Sequence, residues 1–314
     1  MKSLIYMAIG LLIPLTAFSQ NSAKPMKNVV SAYEFKTRYT HIDSLEIAYI
    51  KKGRGPVTLL FIHGLSSNSD AWSKNIKALS DQYTCIAIDL PGFGKSSKVN
   101  APYTPSFFAE VTHRFIEKCR LKNVVLIGHS MGGQAAIQLA ATYPGDIEKL
   151  VLVAPAGLEV FSEAHAALLK NTFTTEMVAT TTEEQIEKNY QLNFFSLPAD
   201  AAGMIEDRKQ IRYAADFHAH CRAIVKSISG MLDEPVFPLL EHIPHNTLVI
   251  FGEEDQLIPN RYLHPGLTTR EVGQIARQKI KNARLKFVKE SGHFVQFEKP
   301  AEVNTHLREF ISEK

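Results

Sequence analysis

Short apolar runs alternate with longer amphipathic stretches through much of the chain. Apolar runs bounded by Gly and Pro are typical of strands buried on both faces of a sheet. They occur at Val57–Ile62, Cys85–Leu90, Val124–Ile127, Leu150–Ala154, Leu248–Phe251 and Leu285–Val288. Helix-like stretches lie between or after them, at 71–80, 105–119, Met131–Tyr143, 269–281 and 300–313. Strands that alternate with helices predict a mostly parallel sheet with crossover helices, an α/β fold.

The alternation stops between the fourth and fifth of these runs. Residues 158–243 contain helical stretches but no Val/Ile-rich run, and such a segment is too long for a connecting loop. We therefore expect a helical cap at 158–243, inserted into a core of residues 20–157 and 244–314. Ahead of the core, Phe35–Ile42 and Leu45–Lys51 are expected to form strands joined by a turn. Residues 20–32 are expected to be a polar, loosely structured lead.

The first nineteen residues have the pattern of a secretory signal peptide. Lys2 precedes an apolar run from Leu4 to Leu15, and the small residues of Ala17-Phe18-Ser19 suit cleavage before Gln20. The alternative is a membrane anchor, but the run is shorter than the ~20 residues that a spanning helix needs. We expect export to the periplasm or the exterior, and no integral membrane span.

Composition and charge are those of an ordinary globular protein. The 314 residues are 45% hydrophobic and 21% charged. Residues 1–19 hold one Lys and no acid, so their removal lowers the formal net charge from +3 to +2, and no nucleic-acid partner is expected. The odd number of cysteines (Cys85, Cys119 and Cys221) excludes a fully paired disulfide framework. Whether Cys119 and Cys221 pair stays open.

A candidate nucleophile follows the run Val124–Ile127 directly. Gly128-His129-Ser130-Met131-Gly132 fits the pattern G-x-S-x-G between a strand and a helix. Such a sharp turn strains the serine backbone, and side chains two residues away on either side would collide, so Gly is needed there. We predict that Ser130 is a nucleophile.

A serine nucleophile needs a histidine base and a carboxylate that orients the base. Asp255 follows one buried run and His293 follows the last, so both are expected at the same sheet edge as Ser130. Glu253 and Glu254 are competing acids. The sequence thus predicts a triad of Ser130, His293 and Asp255.

Two glycine-containing loops are expected to shape the same edge. His63-Gly64-Leu65 ends the run Val57–Ile62, and we predict that the Leu65 and Met131 backbone N–H groups form an oxyanion hole. His63 itself is interpreted as a structural hydrogen-bonding group. The loop Asp89–Ser96 lacks the spacing of a nucleotide-binding loop and is interpreted as a support for the rim.

With these residues assembled, the chain resembles the α/β-hydrolase superfamily, in its cap-containing serine hydrolase branch. The resemblance extends over about residues 33–313 and includes His63–Trp72, Asp89–Ser96, the serine turn and Ser291–Phe294. It implies an eight-stranded, mostly parallel sheet with helices on both faces and a helical cap. It also implies acyl chemistry without a cofactor or metal. Relatives that act on haloalkanes or epoxides carry Asp in place of Ser130, which argues against both activities.

The cap sequence leaves several interpretations open. Its larger apolar residues could line an apolar or aromatic acyl pocket or form the cap's own core: Phe194, Phe195, Met204, Phe217, Met231 and Phe237. His218, His220 and Cys221 resemble a metal cluster but have no partner at ligand spacing. Glu206, Asp207 and Asp216 could serve an aminopeptidase by holding a substrate amine.

The leading functional hypothesis is an exported esterase or lipase-like enzyme that cleaves a small-molecule acyl substrate. The alternatives are carbon–carbon bond hydrolysis or acyl transfer with the same triad, and a non-catalytic ligand-binding homologue. The complete set of three triad residues argues against the last alternative.

Overall fold

The structure is a computed structural model that describes residues 23–313. The predicted signal peptide at 1–19 lies outside the described residues. The strands are β1 (Thr37–Ile42), β2 (Leu45–Lys52), β3 (Thr58–Ile62), β4 (Thr84–Ile88), β5 (Val124–His129), β6 (Lys149–Val153), β7 (Asn246–Gly252) and β8 (Ala283–Val288). They form one eight-stranded sheet in the order β1-β2-β4-β3-β5-β6-β7-β8. β2 pairs antiparallel with β1 and β4, and all other pairs are parallel, which confirms the predicted fold class.

The helices follow the predicted alternation in the core and fill the insertion between β6 and β7. The core helices are α1 (Ser73–Leu79), α2 (Pro105–Lys118), α3 (Met131–Thr142), α9 (Thr269–Lys279), α10 (Val295–Glu298) and α11 (Pro300–Ser312). The insertion holds α4 (Glu163–Thr172), α5 (Thr175–Ala179), α6 (Glu183–Gln191), α7 (Ala202–Gln210) and α8 (Phe217–Asp233). Among residues 23–313, every helix lacks the combination of length and hydrophobicity that a membrane span requires.

The strand order reverses at β3, and this reversal determines where a ligand can bind. The chain passes from β3 through α1 to β4 on one side, and then through α2 to β5 on the other side of β3. Right-handed crossovers in opposite directions place their helices on opposite faces of the sheet. The loops after β3 and β5 therefore diverge at the carboxyl edge and leave a crevice, which is where open α/β sheets bind ligands.

The central strands are apolar because both of their faces are covered. Every residue of β3 and β5 is buried, as expected for interior parallel strands. At the sheet edge, β8 alternates between exposed and partly buried positions over most of its length. This explains why the predicted run Leu285–Val288 captured only the last four of its six residues.

The segment before β1 differs from the loosely structured lead that we expected. Met26–Asn28 form a 3-10 helix, and Met26, Val30 and Tyr33 are buried. The Met26 N–H donates to Asp216 Oδ1 at 2.6 Å, and the Ala215 N–H donates to the Lys24 carbonyl at 2.9 Å. Three apolar anchors and hydrogen bonds to the insertion order a segment whose polar composition suggested a loose chain.

The cysteines are unpaired in the structure. Cys85 and Cys221 are buried, Cys119 is partly buried, and all three are free thiols. The structure therefore contains no Cys119–Cys221 disulfide.

Candidate active site

Ser130 occupies the sharp turn between β5 and α3. Its backbone angles are φ 54° and ψ −120°, a conformation that residues other than glycine rarely adopt. The Ser130 N–H donates to the Val153 carbonyl, and the Ser130 carbonyl accepts from the Ala156 N–H, both at 3.0 Å. These bonds to the loop after β6 hold the strained turn at the carboxyl edge of the sheet, where Ser130 is partly exposed.

The two flanking glycines are required by space, as predicted. A Cβ atom at Gly128 would lie 2.4 Å from the Gly132 carbonyl oxygen. A Cβ atom at Gly132 would lie 2.5 Å from the His63 carbonyl oxygen. These distances are too short for carbon and oxygen atoms, so any larger residue would open the turn.

Asp255 and His293 form a buried pair beside this turn. His293 Nδ1 donates to Asp255 Oδ2 at 2.8 Å, and the two residues are 3% and 1% exposed. The other carboxylate oxygen of Asp255 accepts the backbone N–H groups of Leu257 at 2.8 Å and Ile258 at 3.1 Å. The carboxylate is fixed on both sides, so it can hold the imidazole with Nε2 free of the proton.

The competing acids have other partners. Glu253 forms an ion pair with Arg270, and Glu254 accepts the Ser291 N–H at 3.1 Å. Among these three neighbouring acids, only Asp255 contacts His293 in the structure.

The serine turn reaches the His293 loop through the residue next to Ser130. His129 Nε2 donates to the His293 carbonyl at 2.9 Å, and the centres of the two rings are 4.8 Å apart. Within residues 23–313, no hydrogen bond joins the Ser130 hydroxyl directly to His293. Hydrogen bonds of this kind are commonly long in structures without substrate, and the bond from His129 to the His293 carbonyl places the serine turn beside the His293 loop.

The two predicted oxyanion donors are unengaged. In the described part of the chain, neither the Leu65 nor the Met131 backbone N–H donates to a protein acceptor. A Cβ atom at Gly64 would lie 3.1 Å from Ser130 Cβ, so the peptide before Leu65 passes directly beside the serine. Met131 is the first residue of α3, where backbone N–H groups have no partner within the helix. Both amides are therefore available to a negatively charged oxygen at the serine.

Two further histidines beneath the site are neutral structural groups. His63 donates from Nδ1 to the Gly64 carbonyl at 2.7 Å and accepts the Leu90 N–H at Nε2 at 3.0 Å. Burial lowers the pKa of His63. Burial also lowers the pKa of His129 to well below the ordinary histidine value, and the neighbouring His293 lowers it further. His63 thus has the structural role that we predicted.

The loop after β4 supports the rim, also as predicted. The buried Asp89 side chain accepts the backbone N–H groups of Ser69 at 2.7 Å and Lys95 at 2.6 Å, and the Tyr33 hydroxyl at 2.7 Å. One carboxylate thereby connects the loops after β3 and β4 with the segment before β1.

A cavity of about 250 Å³ lies between the loop after β3 and the helical insertion. Leu65, in the loop after β3, and Phe294, next to His293, line it on the core side. Apolar residues of the insertion line the other side: Phe173, Met177, Val178, Ile186, Ile224 and Ile228. Polar residues complete the lining: Ser66, Ser67, Thr181, Asn189, Tyr190, Asn193 and Arg208. The sequence analysis missed this set because only the tertiary placement of the short helices decides which faces enclose the cavity.

The larger apolar residues singled out from the sequence do not line this cavity. Phe194 packs on Phe294 and Phe297, with ring centres 5.5 and 6.3 Å apart. Phe217 is buried, whereas Phe195 is exposed. Met204, Met231 and Phe237 are partly buried against hydrophobic clusters. The interpretation as packing residues is therefore correct for all of these except Phe195, and the interpretation as cavity-lining residues is wrong for this cavity.

The polar clusters of the insertion have structural contacts. His220 and Cys221 are buried while His218 is exposed, so the three side chains do not converge. Asp207 accepts the Ser31 N–H and hydroxyl at 3.0 and 2.6 Å.

The other acids considered for an aminopeptidase are engaged as well. Asp216 binds the Met26 N–H, and Glu206 accepts the side-chain amide of Gln210 at 2.7 Å. Neither these two nor Asp207 lines the cavity beside Leu65. None of the three acids on which the aminopeptidase hypothesis depended is therefore placed to hold a substrate amine in this cavity.

Comparison with known proteins shows similarity over most of the chain, in sequence and in fold. The chain is 27% identical over 287 residues to the dihydrolipoyllysine-residue acetyltransferase component of an acetoin cleaving system from Cupriavidus necator, covering 91% of this chain and 70% of that protein. It is 24% identical to a human monoacylglycerol lipase, covering 88% and 82%. The crystal structure of a probable hydrolytic enzyme from Pseudomonas aeruginosa superposes with a TM-score of 0.83 at 24% identity, covering 94% of this chain and all of the other.

A family model decides the classification. The model for the alpha/beta hydrolase fold matches residues 57–300, a range that holds Ser130, Asp255, His293 and the whole insertion. The chain belongs to the alpha/beta hydrolase family.

Proposed function

We propose that the protein hydrolyses a carboxylic ester through an acyl-enzyme on Ser130. The observation that carries this proposal is the buried hydrogen bond between His293 and Asp255 beside the strained serine turn. Burying the Asp255 carboxylate carries a desolvation penalty. The buried carboxylate is useful where it stabilises a transient imidazolium.

The proposed reaction has two steps. Ser130 Oγ attacks the ester carbonyl while His293 Nε2 takes the serine proton, and the Leu65 and Met131 amides bind the resulting oxyanion. The C–O bond then breaks, and the alcohol leaves with the proton from His293. In the second step, His293 takes a proton from water and the water oxygen attacks the acyl carbon. The bond between the acyl carbon and Ser130 Oγ then breaks, His293 returns the proton to Oγ, and the carboxylic acid is released.

The cavity supports a substrate with a short or medium apolar portion. Eight residues with aliphatic, aromatic or thioether side chains line a volume of about 250 Å³, and burying apolar surface there favours binding. We propose that the helical insertion acts as a cap that excludes water from the bound ester.

The proposal is tested by labelling with a fluorophosphonate probe and by turnover of p-nitrophenyl esters of graded chain length. We expect wild-type protein and the exposed-serine control Ser312→Ala to be labelled and active, and folded Ser130→Ala to be neither. Absence of labelling in folded wild-type protein would indicate a ligand-binding homologue. Labelling without ester turnover in water would instead direct attention to acyl transfer or carbon–carbon bond hydrolysis.

We also propose that residues 1–19 direct export and are removed. The supporting observation is the sequence pattern alone. Expression of the full chain followed by fractionation and N-terminal sequencing is expected to yield exported protein that begins at Gln20. Retention of residues 1–19 in the cytoplasmic fraction would contradict this proposal.

A further inference from the structure

Arg208 differs from Arg212 and from the lysines of the insertion because its guanidinium has no hydrogen-bonding or ionic partner among residues 23–313. It lies in α7 and lines the cavity beside Leu65 and Phe294. Its guanidinium forms no hydrogen bond or ion pair with any residue from 23 to 313, and Nη1 is buried without a partner. By contrast, Lys209 pairs with Glu187 at 2.6 Å, and Arg212 pairs with Glu183 at 3.6 Å.

An unpaired guanidinium in this position is costly to the fold. Burial lowers the pKa of Arg208, because the charged form loses hydration that no carboxylate replaces. The nearest aromatic partner is Phe217, whose ring centre is 5.7 Å from the Arg208 Cζ atom, a distance at which stacking compensates only in part. Acids are available nearby, but Asp207 binds Ser31 instead.

The surroundings of Arg208 in the cavity are suited to an anion. Arg208 is the one charged residue among the described residues that line the cavity, and no carboxylate lines it. Tyr190, Ser66 and Ser67 place neutral hydroxyl groups on the same lining. Burial raises the pKa of Tyr190 to about 12, so the phenol stays neutral. The single positive charge of Arg208 would balance the charge of one carboxylate, and the neutral hydroxyl groups could donate hydrogen bonds to its oxygens.

We propose that Arg208 binds a carboxylate carried by the substrate, so that the protein acts on esters whose acyl or alcohol part bears a free carboxylate. The inference rests on the proposed ester hydrolysis and specifies its substrate class. The cavity connects the guanidinium with the Leu65 loop, so the carboxylate would lie at one end of the bound ester and the carbonyl group at the other.

The test compares charged and neutral esters of matched shape. Mono-4-nitrophenyl adipate and its methyl ester place the charge in the acyl part, and 4-acetoxybenzoate and its methyl ester place it in the leaving alcohol. In one of the two pairs, we expect wild-type protein to favour the charged ester in kcat/KM. Arg208→Met should reduce this charged-to-neutral ratio about 10- to 100-fold, and Arg208→Lys should retain part of it. Arg212→Met, which removes a partnered arginine of the same insertion, should leave the ratio unchanged.

The outcomes separate the inference from the function on which it rests. If neutral esters are hydrolysed but the ratio is unaffected by Arg208→Met in both pairs, the inference is wrong and the esterase proposal stands. If no ester is hydrolysed and Ser130 is not labelled, the esterase proposal fails.

A measurement of adipate binding tests the role of Arg208 even if the esters are hydrolysed too slowly to compare. Adipate should raise the melting temperature of Ser130→Ala above that in sodium chloride of equal ionic strength, and should not do so in Ser130→Ala/Arg208→Met. Equal shifts in both variants would contradict the inference. Arg208→Met itself is expected to melt no lower than wild type, since it removes an unpaired charge.

Discussion

At the scale of single residues, the site depends on one carboxylate whose neighbours are also acids. Asp255 contacts His293, whereas Glu253 and Glu254 bind Arg270 and the Ser291 N–H. Each of these two glutamates is held by a partner other than the imidazole.

Asp255→Asn is expected to lower kcat on an ester substrate about 10⁴-fold, because an amide would hold His293 in the wrong tautomer. Glu254→Gln is the matched control and should change kcat by no more than a few fold. Steady-state kinetics of both variants, with a check of the melting temperature, measures the difference. The reverse ranking would assign the acid role to Glu254.

The sequence singled out Ser130, Asp255 and His293 as candidate site residues but not Arg208. Ser130, Asp255 and His293 each follow a strand of the parallel part of the sheet, so their location at one edge follows from strand direction. Arg208 lies in the short helix α7, in which no residue is fully buried. Only the tertiary position of this helix leaves the guanidinium without a partner. The cavity-lining residues of α5 and α8 were missed for the same reason.

At the scale of elements, the turn between β5 and α3 is determined by close backbone packing. Gly132 lies so near to the end of β3 that a Cβ atom would meet the His63 carbonyl at 2.5 Å. The same close approach packs the serine turn against the end of β3, where the loop with Leu65 begins.

Gly132→Ala is therefore expected to lower the free energy of unfolding by about 1–3 kcal/mol and to reduce ester turnover more than tenfold. Gly145→Ala is the control, since a Cβ atom at Gly145 has no neighbour within 4 Å. Urea unfolding and kcat/KM of the two variants provide the measurement. Wild-type stability and turnover in Gly132→Ala would contradict the packing explanation.

Strand positions were predicted to within a few residues, because buried strands have continuous apolar runs. The start of helix α1 was predicted less accurately. The stretch predicted as one helix at 71–80 is a 3-10 helix at Ser69–Trp72 followed by α1, and the sequence did not separate the two because both kinds of helix have similar apolar spacing. The ordered segment around Met26 could not be predicted, since its partners Ala215 and Asp216 are distant in sequence.

At the scale of the whole molecule, three buried histidines couple stability to pH. Burial lowers the pKa of His63, of His129 and, to about 3, of His220. His220 donates from Nδ1 to the Gly92 carbonyl at 2.8 Å and stays neutral in the folded protein. The unfolded chain, with histidine pKa values of about 6.5, takes up protons that the folded chain does not.

The free energy of unfolding should therefore fall as the pH drops below about 6.5, by up to ~1.4 kcal/mol per pH unit for each such histidine. His220→Asn, whose amide can retain the bond to Gly92, should flatten this dependence between pH 6.5 and 4. His242→Asn, at an exposed position, should not. Urea unfolding at several pH values tests this, and an identical slope for wild type and His220→Asn would contradict the expectation.

The central claim is that Ser130 and His293 act as one unit, and a double-mutant comparison tests it most directly. The measurement is kcat/KM for a neutral p-nitrophenyl ester with Ser130→Ala, His293→Ala and the double variant, each confirmed as folded. If the two residues form one catalytic unit, the double variant is no slower than the slower single variant. If the two losses instead multiply in the double variant, Ser130 and His293 act independently and the account is wrong.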